Sequence, residues 1–195
     1  DTAAWAEIRA TYYGMVSRAD DHLGRVLRAV ERSGAAERTV TAFCTDHGDY
    51  LGDYGLVEKW PSGLHPCLVR NPIVLAGPGV PQGEERGDPV ELIDLFATLV
   101  ELAEAEPRHT HFGRSLLTGT PRDAAFCEGG FTVAEEPLLE RADYPYDLKA
   151  QLQHEAPETV GRAVAVRTER WTYVYRLYEG DELYDRAADP GELRN

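Results

Sequence analysis

Asp46 and His47 stand side by side in the run Thr45-Asp46-His47-Gly48-Asp49-Tyr50-Leu51-Gly52-Asp53-Tyr54-Gly55-Leu56, and Lys59 follows it. A carboxylate offers hard oxygen donors and a neutral imidazole offers a nitrogen donor, so the pair suits a divalent cation. A lysine close behind adds a second positive charge. Metal and ammonium together suit an anion on which charge develops during reaction. The plainer reading is a turn cap for Asp46, a surface imidazole for His47 and an exposed side chain for Lys59. His65, in Trp60-Pro61-Ser62-Gly63-Leu64-His65-Pro66, could approach a substrate or assist a proton transfer. A loop histidine without a role fits it as well. Trp60 offers an aromatic wall, with packing as its plainer use, and Glu128-Gly129-Gly130-Phe131 is a further candidate border of the site.

These residues need elements to hold them. Thr39-Val40-Thr41-Ala42-Phe43-Cys44 leads into the motif. It is apolar and rich in β-branched residues, which predicts a strand buried on both faces, as in a parallel sheet. Ligands of open α/β sheets bind at the carboxyl ends of such strands, where Asp46 and His47 emerge. Pro72-Ile73-Val74-Leu75-Ala76 reads as a second strand, stopped by Gly77-Pro78-Gly79. The connection between the two exceeds the ~12–15 residues beyond which an unstructured loop is usually functional or disordered.

Upstream, Trp5, Ile8, Tyr12, Met15, Ala19, Leu23, Val26, Leu27 and Val30 recur at helical spacing and predict a helix over 3–33, closed by Gly34. Downstream, Asp88-Pro89-Val90-Glu91 predicts a second helix over 89–103. Asp88 would cap it, Pro89 would take its first position and Glu91 the capping-box position. Leu92, Phe96, Leu99 and Ala103 would form its core face. A short helix is predicted over 148–153. Arg162 to Thr168 and Trp171 to Tyr178 alternate apolar with polar and predict an antiparallel hairpin. The predicted fold class is therefore α/β. The two early strands would be parallel members of a mixed or parallel sheet with flanking helices, within residues 1–125. A small antiparallel sheet would fill residues 126–195.

Composition narrows the function classes. With 195 residues and 43% hydrophobic content, the chain can build a core. A formal net charge of −14 argues against nucleic acid as a partner. No apolar run approaches the ~18 residues of a membrane span. Three cysteines, Cys44, Cys67 and Cys127, form no disulfide or zinc pattern. Cys44 is expected as a buried free thiol. No signal peptide is visible, and with an N-terminal part expected upstream this says nothing about compartment.

The Thr45–Leu56 run with Lys59 resembles the second signature region of the type I sulfatases, the arylsulfatase-like enzymes of the alkaline phosphatase superfamily. The likeness continues, in order, through Arg70-Asn71-Pro72 to Pro81, through Leu92-Ile93-Asp94-Leu95-Phe96-Ala97-Thr98-Leu99, and through Gly113-Arg114-Ser115-Leu116. It closes with Glu182-Leu183-Tyr184-Asp185 and Asp189-Pro190-Gly191-Glu192-Leu193. The resemblance implies an alkaline phosphatase-like fold and hydrolysis of a small-molecule sulfate ester. It implies a divalent metal on Asp46 and His47, calcium first, with magnesium or manganese as alternatives. Lys59 would contact a sulfate oxygen; His65 stands where many members have an aromatic residue. Arg70 and Asp94 would be structural. Tyr54 stands where the family commonly has His and is not expected to be a ligand.

The family's nucleophile is a formylglycine made from the Cys or Ser of C-x-(P/A)-S-R, and no cysteine or serine here has that context. The paired N-terminal aspartates of the family's metal site have no counterpart either. The expectation is therefore a C-terminal portion, inactive alone, whose partner is the N-terminal part of its own polypeptide. A phosphodiesterase or phosphonate monoester hydrolase of the same superfamily is the alternative, and a non-catalytic C-terminal module is the reading from a different class.

Overall fold

The structure, a computed structural model, describes residues 2–195. It divides into two compact units. One takes the residues up to 58 together with 70–85, the other 59–69 together with 86–195.

The first unit opens with α1 (Thr2–Arg32), the predicted amphipathic helix. Gly34 ends it at φ 71°, with its N–H bonded to the Glu31 carbonyl and the Ala35 N–H to that of Val30. A left-handed glycine satisfying the last carbonyls is a usual helix stop. No residue of α1 is fully buried. β1 (Thr41–Cys44) and β2 (Ile73–Ala76) form a two-stranded ladder, and they run antiparallel, with Thr41 opposite Ala76 and Cys44 opposite Ile73. The parallel pairing expected from their apolar runs is thus incorrect. A parallel pair needs a crossover, usually a helix, whereas an antiparallel pair can be joined at one end of the ladder. Here the connection leaves from Cys44 and returns opposite it at Ile73. It is spent on the motif loop and a single helical turn, α2 (Pro66–Val69).

Two-sided burial also fails. Phe43 is 41% and Val74 56% exposed, and Cys44 is an exposed rather than a buried thiol. Two strands alone offer little surface to cover each other's faces. Gly77, at φ 131°, lets the chain turn close to β1, because a Cβ there would lie 2.5 Å from the Thr39 carbonyl oxygen.

The second unit is built on a four-stranded antiparallel sheet, β3 (Ala124–Gly129), β4 (Ala163–Thr168), β5 (Trp171–Arg176) and β6 (Glu182–Asp185), in that order. The predicted hairpin is its centre. The alternation works as expected: Ala163, Ala165 and Val174 turn inward with Tyr184 and pack around Leu64. The helix expected over 89–103 is α3 (Leu92–Leu102). It starts later because Glu91, not Asp88, is the N-cap, in a reciprocal capping box with Asp94. Asp88 instead pairs with Arg86. Its expected apolar core face is also wrong. The buried residues of α3 are Asp94 and Thr98, while Leu92 and Leu99 are about 40% exposed. The inward side of this helix is a hydrogen-bonded polar one. α4 (Asp147–Glu155) covers the short helix predicted at 148–153.

Candidate functional site

The motif loop lies in the first unit. Tyr50 anchors it, 2% exposed and edge-on to Tyr54. After Tyr50 the chain folds back on itself, with Leu51 N–H donating to the Val57 carbonyl and Gly52 N–H to that of Leu56. Such a tight return needs left-handed backbone, and Leu51, Gly52, Tyr54 and Gly55 all have positive φ. For Leu51 and Tyr54 this is a strained conformation, of the kind that collects at functional loops. α1 supports the loop. Arg9 Nε donates to the Leu51 carbonyl at 2.8 Å, and Tyr12 hydrogen-bonds Asp49. Burial first, and then the Asp49 carboxylate, push the Tyr12 phenol above its ordinary pKa. A cavity of about 470 Å³ opens beside this contact, lined by Ile8, Tyr12, Met15, Asp49, Leu51 and Val57 among others.

Asp46 and His47 project from the start of the loop. Asp46 Oδ1 accepts the His47 N–H at 3.0 Å, and Asn71 Nδ2 donates to the Asp46 carbonyl at 3.1 Å. His47 Nδ1 lies 2.8 Å from the Gly48 carbonyl, so in the neutral ring Nδ1 carries the proton and the lone pair sits on Nε2. That Nε2 is 3.6 Å from Asp46 Oδ2. Two donors at this separation can share one cation at metal–ligand distances of about 2.0–2.6 Å. Among the described residues no group of three or more His, Cys, Asp or Glu could hold a metal. The pair offers one oxygen and one nitrogen donor, a chemistry that fits a divalent ion.

Lys59 and His65 belong to the second unit, on the segment 59–69. Lys59 is exposed and His65 half-buried. Leu64 and Ser62 are buried, and the segment is tied to the elements around it. Trp60 Nε1 donates to the Thr159 carbonyl at 2.7 Å, and Ser62 Oγ reaches the same oxygen. The His65 carbonyl accepts from Leu68 and Val69 N–H and so starts the turn α2. Burial lowers the His65 pKa. Glu182 and Glu192 pull it up, Arg176 and Arg167 push it down, and the balance leaves it below the ordinary histidine value. Burial thus favours the neutral ring.

The structure thus brings Asp46 to His47 in one unit and carries Lys59 and His65 together on one segment of the other. Glu128 and Gly129 lie in β3, whose Gly129 passes so near Pro61 that a Cβ would meet its carbonyl oxygen. The sequence reading missed Asn71, whose signal was an amide next to the second strand. It also missed Arg167 and Arg176, whose signal was their inward register on β4 and β5.

The sulfatase family model matches residues 1–105. Choline-sulfatase of Rhizobium meliloti (strain 1021) is 29% identical over 187 residues, covering 96% of this chain and 32% of that protein. Arylsulfatase K of Danio rerio is 27% identical, over 96% of this chain and 33% of that one. Among solved structures, the phosphonate monoester hydrolase of Agrobacterium radiobacter superposes with a TM-score of 0.75 at 30% identity, over 96% of this chain and 36% of its own. The chain spans about a third of the length of the curated relatives it matches. With the family model spanning more than half of its residues and with the alkaline phosphatase-like fold of its structural neighbours, the chain belongs to the sulfatase family.

Proposed function

We propose that this chain is part of a metal-dependent sulfuric ester hydrolase and supplies residues that bind its anionic substrate. The observation that carries the reading is the pairing of Asp46 Oδ2 and His47 Nε2 at 3.6 Å, at the head of a strained loop. Asp46 and His47 would hold the divalent cation, calcium first, with magnesium or manganese as alternatives. When bound, such a cation polarises the sulfate oxygens of the ester. Lys59 would bind a sulfate oxygen through its ammonium and stabilise the charge that grows there during S–O cleavage. His65, held neutral by burial, can accept a proton from water or a hydroxyl at neutral pH. This sequence holds no residue in the formylglycine context, so the nucleophile is expected on a preceding part of the same polypeptide, and these 195 residues alone are expected to be inactive.

The test is hydrolysis of nitrophenyl sulfate by a polypeptide that joins this chain to a nucleophile motif. Lys59→Ala should lower kcat by about 10²–10³, the scale of losing one charge-stabilising donor. Asp46→Ala should lower bound metal. A Lys59→Ala enzyme with the wild-type rate overturns the role of Lys59. The resemblance to a phosphonate monoester hydrolase supports a second reading, in which the ester is a phosphonate. Turnover of a phenyl phosphonate ester without turnover of the sulfate selects it.

A further inference from the structure

The segment 59–69 has an unusual set of attachments. Three of its backbone carbonyls each accept from a cationic side chain of the second unit. Lys149 Nζ, from α4, donates to the Lys59 carbonyl at 2.7 Å and lies over the Trp60 ring. Arg176 Nη1, from β5, donates to the Ser62 carbonyl at 3.1 Å. Arg167 Nη2, from β4, donates to the Leu64 carbonyl. Backbone carbonyls are neutral acceptors, so drawing three cations to one short segment needs a reason beyond charge pairing.

The two arginines are already committed to carboxylates. Arg176 Nε is bonded to Glu182, and the Arg167 guanidinium forks onto Glu192 at 2.6 and 2.9 Å. Glu192 is 3% exposed and also accepts from Thr172 Oγ1 at 2.7 Å. Each guanidinium is thus held by its carboxylate and also gives one N–H to the segment, Arg167 from Nη2 and Arg176 from Nη1. A planar fork held this way loses little further freedom on binding a carbonyl. Leu64 completes the anchorage inside the core of the sheet.

We propose that Lys149, Arg167 and Arg176 are positioning residues that clamp the segment 59–69 onto the C-terminal unit and so fix where Lys59 and His65 stand. The three held carbonyls span from Lys59 itself to Leu64, the neighbour of His65. Both side chains therefore leave from clamped backbone. Two of the three, Arg167 and Arg176, also act on His65. Their charges push its pKa down while those of Glu182 on β6 and Glu192 beyond it pull it up. The proposal rests on the reading of Lys59 as the group that binds the ester's anion. Misplacing a reacting group by about 1 Å can cost roughly 10²-fold in rate, so a loose clamp should be visible in turnover.

The experiment uses Lys149→Ala and Lys149→Arg in the full-length enzyme, with Lys59→Ala alongside. Lys149 is partly exposed, so its loss should leave the fold intact. Lys149→Ala should lower kcat by about 10–100-fold with little change in KM, and Lys149→Arg should restore most of it. Hydrogen exchange at the Gly63, Leu68 and Val69 amides should speed up in Lys149→Ala. Unchanged exchange there, or unchanged kcat in Lys149→Ala while Lys59→Ala is impaired, overturns the proposal. If Lys59→Ala keeps the wild-type rate, the catalytic reading fails instead, and the exchange rates still decide whether the clamp exists. Arg176→Lys is the second variant. It keeps a charge beside Glu182 but loses the fork, and exchange over 62–69 should rise. Unchanged exchange there counts against the clamp.

Discussion

Asp94→Asn is the sharpest test of how the second unit is held together. The Asp94 side chain is 2% exposed and takes four hydrogen bonds on two oxygens. Oδ1 accepts from the Arg114 N–H at 2.7 Å and from Arg122 Nη2. Oδ2 accepts from the Glu91 N–H at 3.0 Å and from Arg122 Nε at 2.9 Å. Asparagine would turn an NH₂ toward one of these pairs of donors. On the Oδ2 side the Glu91 N–H and Arg122 Nε would then lack a partner. On the Oδ1 side the Arg114 N–H would, since Arg122 Nη2 also donates to the Phe112 carbonyl at 3.0 Å. Each orphaned donor costs about 1–3 kcal/mol. Arg122 would also lose its main counter-charge while only 10% exposed, although Glu91 Oε2 stays 3.2 Å away. Breaking a buried ion pair from one side costs about 3–5 kcal/mol, and the variant should fall in that range. Equilibrium urea unfolding would report it as a midpoint lower by roughly 2 M at a slope near 2 kcal/mol/M.

The same group makes a pH prediction. Burial alone would raise the Asp94 pKa, but the Arg122 guanidinium and the Arg114 and Glu91 amides outweigh it and hold it below the usual carboxylate range. A carboxyl depressed on folding adds stability that is complete above its unfolded pKa of about 3.9 and is lost as pH falls through the lower folded value. The wild type should therefore lose stability more steeply than Asp94→Asn below about pH 4. Asp88→Asn is the control. Its partner Arg86 is 34% exposed, and a surface pair of this kind contributes about 0–1 kcal/mol. If Asp94→Asn costs no more than Asp88→Asn, the account of α3 as a helix held by its buried carboxylate is wrong.

Two further outcomes follow from the first unit. Gly77→Ala should destabilise more than Gly83→Ala, because both have positive φ but only Gly77 would press its Cβ on the Thr39 carbonyl and Val40 Cα, at 2.5 and 2.9 Å. Strained backbone alone costs about 1–3 kcal/mol, so thermal unfolding that ranks the two in the reverse order sinks the close approach of the Gly77 turn to β1. Asn71→Ala removes the amide that holds the Asp46 carbonyl and should weaken divalent-cation affinity by about 10–100-fold, as loss of an outer-shell partner does. Isothermal titration with calcium measures it, and unchanged affinity would remove Asn71 from the site.

What the sequence disclosed and what it withheld divides along the range of the interactions. Asp46 and His47 are adjacent, so the closeness of their side chains follows from one backbone segment and was open to the sequence. The hairpin of β4 and β5 was legible for the same reason, since alternation and a tight turn are local. The direction of β1 against β2 was not. Four apolar residues look alike in a parallel and an antiparallel ladder, and the choice lies in where the connection returns. The start of α3 was misread because two acidic boxes compete three residues apart. Asp88 lost to Glu91 because Glu91 alone finds Asp94 at the reciprocal position.

Lys59 shows the limit most clearly. It follows the motif loop by a few residues, yet it is held by α4, and the segment it opens packs on β4 and β5, strands that begin some hundred residues later. The inward arginines that hold that segment break the apolar alternation of their strands. Arg167 shares its face with Ala163 and Ala165, small residues that leave room for a guanidinium to cross the core. A charged residue in inward register beside alanines is a readable signal that something polar must be waiting for it, and here that is the backbone that carries Lys59 and His65.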